Sequence, residues 1–95
     1  MNIKESYRQK LQAQLDEWGA EIDKLKARAD RADADIKLEY YEQIDDLRVK
    51  QQVVTNRLAE LKSASDDAWE DLKAGVESAR FSLGEAVERA AARFK

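Results

Sequence analysis

The side chains with the most evident capacity for chemistry are closely spaced carboxylates, which could hold a divalent cation. They occur at Asp30 and Asp33, at Asp35 and Glu39, and at Glu42, Asp45 and Asp46. A metal site between helices needs carboxylates directed inward from facing helices, usually together with His. These carboxylates instead lie off the apolar stripe, and basic residues follow one helical turn later, as Lys37 follows Asp33. We therefore predict a solvated helix surface and no metal site.

The residue types needed for other common kinds of catalysis are missing or isolated. The chain has no Cys and no His, which removes thiolate nucleophiles, imidazole bases and the usual zinc ligands. The hydroxyl side chains have no suitable base beside them in the sequence; they are Ser6, Thr55, Ser63, Ser65, Ser78 and Ser82. No glycine-rich phosphate loop is present, because Gly75 and Gly84 lie far apart. The sequence predicts a protein that is not an enzyme, with no cofactor and no small-molecule substrate.

The composition is typical of long helices. The 95 residues include no Pro and three Gly, and charged residues make up 39% of the chain. The net charge is -3 with interspersed signs, so we expect no nucleic-acid partner. The first residues lack the apolar run of a signal peptide, and no segment is apolar enough to span a membrane. We expect one all-α domain over residues 1–95 and a cytoplasmic location.

A heptad seam occupies the first part of the chain. Its a and d positions are Leu15, Trp18, Ile22, Leu25, Ala29, Ala32 and Ile36. Such a seam is typical of a coiled coil, so these residues are predicted to drive self-association, with a dimer favoured. A strict continuation would require large residues at Glu39 and Gln43, but they stand at Tyr40 and Ile44. This slip is a stutter, which locally unwinds a supercoil.

The last third of the chain follows an 11-residue repeat. The segment from Ala68 to Ser78 is followed directly by a second copy from Ala79 to Arg89. An 11-residue period is three helical turns, so the repeat draws one drifting apolar stripe along a helix. The stripe comprises Ala68, Trp69, Leu72, Val76, Ala79, Leu83, Val87 and Phe94. It predicts an amphipathic helix that packs on the protein's own long helix or, alternatively, on a lipid surface, although its acidic polar face should attract anionic lipid only weakly.

A joint is expected between these two patterns. The segment from Lys62 to Ala68 has no large apolar side chain, and Ser63 or Ser65 could cap a second helix. We therefore predict a helical hairpin with a helix over about 3–62, a joint at about 63–66 and a helix over about 67–94. One alternative is an unbroken rod of roughly 140 Å, because the heptad phase continues across the joint. Another is a three-helix bundle with a bend near 31–35, which we favour least because no Gly, Pro, Ser or Asn lies there.

A few apolar residues fall outside both stripes. They are Leu38, Tyr41, Val49 and Phe81. Scattered exposed apolar side chains are common and need no explanation. The alternative is a second contact face, which would enlarge the assembly to three or four helices.

The segment from Ala68 to Glu77, preceded by Leu58 to Lys62, resembles a family of small bacterial coiled-coil proteins. Members open with a Leu-x-x-x-Leu-x-x-Trp heptad, which matches Leu11, Leu15 and Trp18, and the resemblance covers nearly the whole chain. The chain departs from the family at Ala79-Arg80-Phe81, where members tend to repeat an aromatic residue directly after Ala. The family is largely uncharacterised and some members are labelled stress response. The resemblance implies a bacterial, soluble, helical protein and no catalytic residues.

Two hypotheses follow for the function. The first is a non-enzymatic, self-associating coiled-coil protein that folds as the helical hairpin predicted above and dimerises through the heptad seam. The second is a stress-associated amphipathic protein whose C-terminal helix binds membranes or unfolded proteins.

Overall fold

A computed structural model describes residues 2–94, which form three α-helices. They are α1 (Ile3–Asp30), α2 (Ala34–Lys62) and α3 (Asp66–Arg93). The described part of the chain contains no strand, so the all-α expectation is confirmed. The helices run up, down and up, so that α1 and α3 are parallel and α2 is antiparallel to both. The molecule measures 51 × 21 × 17 Å, far shorter than the rod considered from the heptad phase.

The three helices differ from the two-helix hairpin predicted above, because the expected first helix is interrupted. α1 ends at Asp30 and α2 begins at Ala34, with Asp33 in an extended conformation at its N-cap. Asp is itself a favoured N-cap residue, so a helix can begin here although no Gly, Pro, Ser or Asn lies near 31–35. Tyr41 of α2 joins the two helices across this turn by donating a hydrogen bond to the Asp30 carboxylate at the end of α1, and Lys26 of α1 donates to the same carboxylate. The chain therefore turns back after α1.

This break gives the heptad stutter a simple cause. The residues before and after the slip belong to different helices, so their stripes need not share one phase. Ile36, which the continuous seam placed inside, is 38% exposed in the first turns of α2. Ile44 is buried and Tyr40 packs against the core. The stripe of α2 is thus set by its own contacts with α1 and α3.

The second turn occupies Ser63, Ala64 and Ser65, which lie between α2 and α3. The Ser65 hydroxyl accepts a hydrogen bond from the backbone N–H of Ala68 at 3.3 Å. Asp66 and Asp67 lie in the first turn of α3, where the helix dipole favours negative charge. The Ser65 cap and the acidic first turn thus explain why α3 begins at Asp66.

All three helices contribute to one apolar core. Its largest fully buried side chains are Ile22 and Leu25 from α1, Val54 and Leu61 from α2, Val76 and Leu83 from α3, and Phe94 directly after α3. No buried residue among 2–94 is polar or charged. The heptad seam and the 11-residue stripe therefore meet in the same interior, and apolar burial is the main source of stability.

Candidate functional site

The residues predicted to form a dimer seam lie largely inside the single chain. Leu15, Ile22, Leu25 and Ala29 are buried against α2 and α3, and Trp18 and Ala32 are partly buried. Within the seam, Ile36 alone is classed as exposed. Most of the seam is therefore used within one chain, and its large residues that still reach solvent are Ile36 and, in part, Trp18.

The stripe of the 11-residue repeat also points inward. Its large members are mostly buried, namely Trp69, Val76, Leu83, Val87 and Phe94. Ala68, Leu72 and Ala79 are partly buried. Of the two surfaces predicted for this helix, the structure places α1 and α2 against the stripe.

The acidic pairs are dispersed over the helix surfaces. Within residues 2–94, no group of three or more Asp or Glu side chains is arranged to hold a metal ion. Asp46 lies 3.7 Å from the Lys50 ammonium, as the one-turn spacing predicts. The hydrogen bond from Tyr41, followed by that from Lys26, lowers the pKa of the Asp30 carboxyl from its ordinary value. These carboxylates are thus positioned to interact with neighbouring side chains.

An aromatic and cationic cluster closes the end of the molecule where α1 and α3 begin. The rings of Tyr7 and Trp69 meet edge to face with centroids 6.1 Å apart. Lys4 lies over the Trp69 ring and Lys73 over the Tyr7 ring, each at 5.0 Å from the centroid. The Tyr7 hydroxyl is enclosed without a hydrogen-bond partner among the described residues. Burial, and then the nearby Glu77 carboxylate, raises the Tyr7 pKa to about 12.

An accessible and partly apolar groove lies between α1 and α3, centred on Trp18. We call it the Trp18 groove. Its α1 wall is formed by Gln14, Glu17, Trp18 and Glu21, and its α3 wall by Phe81, Gly84, Glu85, Glu88 and Ala91. The spacing of these residues places each wall on one helix face. Since α2 covers the opposite side of the α1 and α3 pair, this side is free of other described residues.

Close packing fixes the position of the Trp18 ring. A Cβ atom at Gly84 would lie 3.1 Å from Cζ2 of Trp18, so the absence of a side chain there lets the indole lie directly on the backbone of α3. Phe81, one turn earlier, is 69% exposed. A part-buried indole and an exposed phenyl ring thus lie on either side of a glycine.

The Trp18 groove is edged by acidic side chains. Glu17, Glu21, Glu85 and Glu88 are all exposed. Glu21 is 3.5 Å from Lys24, whereas the other three form no ion pair with a residue in 2–94. At one end, Arg80 donates a hydrogen bond to Gln14 Oε1 at 2.5 Å and lies 3.1 Å from Glu77 Oε2. The edge therefore carries an excess of uncompensated negative charge.

The sequence patterns did not indicate that these residues form one site. Trp18 was predicted in the dimer seam and Phe81 outside both stripes, and Gly84 was considered only as a possible part of a phosphate loop. One signal was available: Phe81, Gly84 and Glu88 recur on one face of α3, beside the buried stripe. The parallel alignment of α1 with α3, which brings that face to Trp18, follows only from the turn at 31–33.

No helix within residues 2–94 combines the length and the apolar character needed to cross a membrane. No known protein family, no curated protein and no solved structure matches the chain.

Proposed function

We propose that this protein is a non-enzymatic helical binding protein, that it folds as a self-contained three-helix bundle, and that it binds its partner through the Trp18 groove. One observation carries the proposal. The large residues of the seam and of the repeat are mostly buried within one chain, whereas Trp18 and Phe81 remain accessible between α1 and α3. Exposed aromatic side chains grouped in a concave site are typical of protein-binding surfaces.

The proposed bundle changes the expected oligomeric state from dimer to monomer. Leu15, Ile22 and Leu25 can each be buried by α2 and α3 or by a second chain, and the first arrangement leaves no apolar seam to drive dimerisation. Sedimentation equilibrium across a range of micromolar concentrations should give the mass of one chain. A dimer whose mass is independent of concentration would support the seam prediction and contradict the bundle.

Site-specific photo-crosslinking tests the binding role. A photoreactive phenylalanine analogue at Phe81, introduced into the full chain in the source cells, should form an adduct with a different protein. The same analogue at Leu38, which is also exposed but lies on the outer side of α2, is the matched control. We expect the adduct from position 81 only. Equal labelling from both positions, or none from position 81, would contradict a binding role for the groove.

Binding of lipid or unfolded protein through α3 stays a prediction, as does the relationship to the coiled-coil family. The inward direction of Trp69, Val76 and Leu83 supports neither form of surface binding, because α3 would have to leave α1 and α2 to expose them. We therefore propose the groove, rather than the stripe, as the binding surface.

A further inference from the structure

We infer that the Trp18 groove binds a cationic amphipathic helix supplied by another protein. Apolar side chains of that helix contact Trp18 and Phe81, and its Lys or Arg side chains pair with Glu17, Glu85 and Glu88. The inference rests on the proposed function and adds the chemistry of the partner, which a binding role alone leaves open.

The shape of the groove suits a helix. Two parallel helices form its walls, and the equivalent groove on their other side is already filled by a helix of this chain, α2. Ala91 is small, so a helix can approach the α3 backbone closely there, while Phe81 and Trp18, whose ring covers Gly84, offer large contacts. From Phe81 to Ala91 the wall extends about 15 Å, enough for roughly three turns of a bound helix. Such a helix would present apolar residues at i, i+3 or i+4, and i+7.

The charge of the groove selects a basic partner. Glu17 lies on one wall, and Glu85 and Glu88 lie on the other, with no cation among residues 2–94 paired to them. Arg80, which also lines the groove, already contacts Gln14 and Glu77, and Lys24 contacts Glu21. Carboxylates on both sides of an apolar strip match a helix with basic residues on either side of its apolar face. They repel an acidic one.

A second copy of this chain fits the groove poorly. A two-fold contact between two Trp18 grooves would bring Glu17, Glu85 and Glu88 against themselves. Leu38 and Val49 are the most exposed apolar side chains of α2, and Glu42 and Asp45 lie between them on the same helix face, which is therefore also acidic. The occupant is therefore a different protein, and anionic lipid is disfavoured for the same electrostatic reason.

The test uses three synthetic peptides of about 14 residues, long enough to cover the groove. The first has Leu at helix-face positions and Lys elsewhere, the second has Glu in place of Lys, and the third has the first composition in an order that forms no apolar face. Each carries a fluorescent label and is titrated with the full wild-type chain while anisotropy is followed. We expect saturable binding of the first peptide, at least about tenfold tighter than the other two, and weakening by salt.

Variants locate the binding. Charge reversal by E17K, E85K and E88K together should weaken binding of the Lys peptide at least about tenfold, as should Phe81→Ser. Reversal by E42K, D45K and E60K on the outer face of α2 makes the same change in net charge and should leave binding unchanged. In a Trp69→Phe chain, emission from Trp18 should shift to shorter wavelength as the peptide binds. Circular dichroism of every variant verifies that it is folded.

Each other outcome overturns the inference in a distinct way. Tighter binding of the Glu peptide at Trp18 would retain the groove as a binding surface and reject the cationic partner. Binding of the Lys peptide that is insensitive to E17K, E85K, E88K and Phe81→Ser would reject the site. No binding of the Lys peptide would reject the cationic helix, whereas the crosslink from position 81 would still decide the binding role. A Trp18 shift with vesicles of phosphatidylcholine and phosphatidylglycerol, but not with peptide, would identify lipid instead.

Discussion

At the scale of single residues, Trp18 and Trp69 show how the same side chain serves two purposes. Trp69 is buried beside Tyr7, where its ring closes one end of the core. Trp18 lies over Gly84 and keeps part of its ring in solvent. Both tryptophans belong to apolar stripes in the sequence, so periodicity alone does not separate them. The distinction arises from their neighbours: Trp69 belongs to the buried core beside Tyr7, whereas Trp18 only packs against that core, and no further helix of residues 2–94 covers it.

Tyr7 gives a prediction that depends on pH. Its hydroxyl is enclosed without a partner, and its pKa is raised from 10.0 to about 12. The unfolded chain ionises at this residue near its ordinary pKa, whereas the folded chain retains the proton until higher pH. The contribution of neutral Tyr7 to stability is therefore fully present below about pH 10 and is lost as the pH rises towards 12. Tyr7→Phe has no proton to lose, so it should be less sensitive to pH in that interval.

Urea unfolding of wild-type and Tyr7→Phe chains at several pH values between these limits measures the difference. At neutral pH the variant should match the wild type within about 0.5 kcal/mol, because the Tyr7 hydroxyl forms no hydrogen bond of standard geometry. A difference absorbance titration of the two folded chains should show the Tyr7 transition close to pH 12. A transition near 10.0 would instead indicate a hydroxyl in free contact with water.

At the scale of elements, the sequence predicted that the chain is helical and where the second turn lies, but it did not predict the first turn. The composition and the two apolar periods were sufficient for an all-α chain, and the serines between Leu61 and Trp69 lie where α2 gives way to α3. The turn at 31–33 was not predicted, because Asp33 is the only residue there that indicates the start of a helix. Asp residues are frequent along this chain, so one of them does not stand out. The alignment of α1 with α3, and with it the Trp18 groove, depends on that turn. It could not be predicted from either stripe alone.

The two turns differ in their capping, which leads to a second prediction. Ser65 accepts a hydrogen bond from the Ala68 N–H, whereas Asp33 makes no side-chain capping bond. Ser65→Ala should therefore lower the free energy of unfolding by about 1 kcal/mol, because it leaves a helix N-terminal donor unsatisfied. Ser63→Ala is the matched control. It removes an exposed hydroxyl that donates to the Glu60 carbonyl, and its effect should stay within about 0.5 kcal/mol. Equal effects of the two substitutions, measured by urea unfolding, would show that the Ser65 cap contributes nothing specific.

At the scale of the whole molecule, the three helices share one small core, so no helix has a core of its own. Each helix contributes side chains that are almost fully enclosed, and α2 contacts both of the others. A chain of this length has a net stability of about 5 to 15 kcal/mol, so the loss of one central contact is a large fraction of the total. We therefore expect the proposed bundle to unfold in one cooperative step, with a midpoint that is independent of protein concentration.

Leu25→Asp distinguishes this bundle from the dimeric hairpin that the heptads predicted. Leu25 is 1% exposed, so the substitution removes a core side chain and buries a carboxylate, at a cost of about 4 kcal/mol or more. In the bundle, circular dichroism should show that all three helices are lost together or melt together at a much lower temperature. Leu38→Asp, at a 67% exposed position on α2, should melt like the wild type and controls for the added charge.

If α2 and α3 formed a hairpin that folds alone, Leu25→Asp would retain roughly two thirds of the helical signal, since the helices have 28, 29 and 28 residues. If Leu25 instead lay between two chains, the substitution would halve the sedimenting mass and leave the C-terminal helix paired.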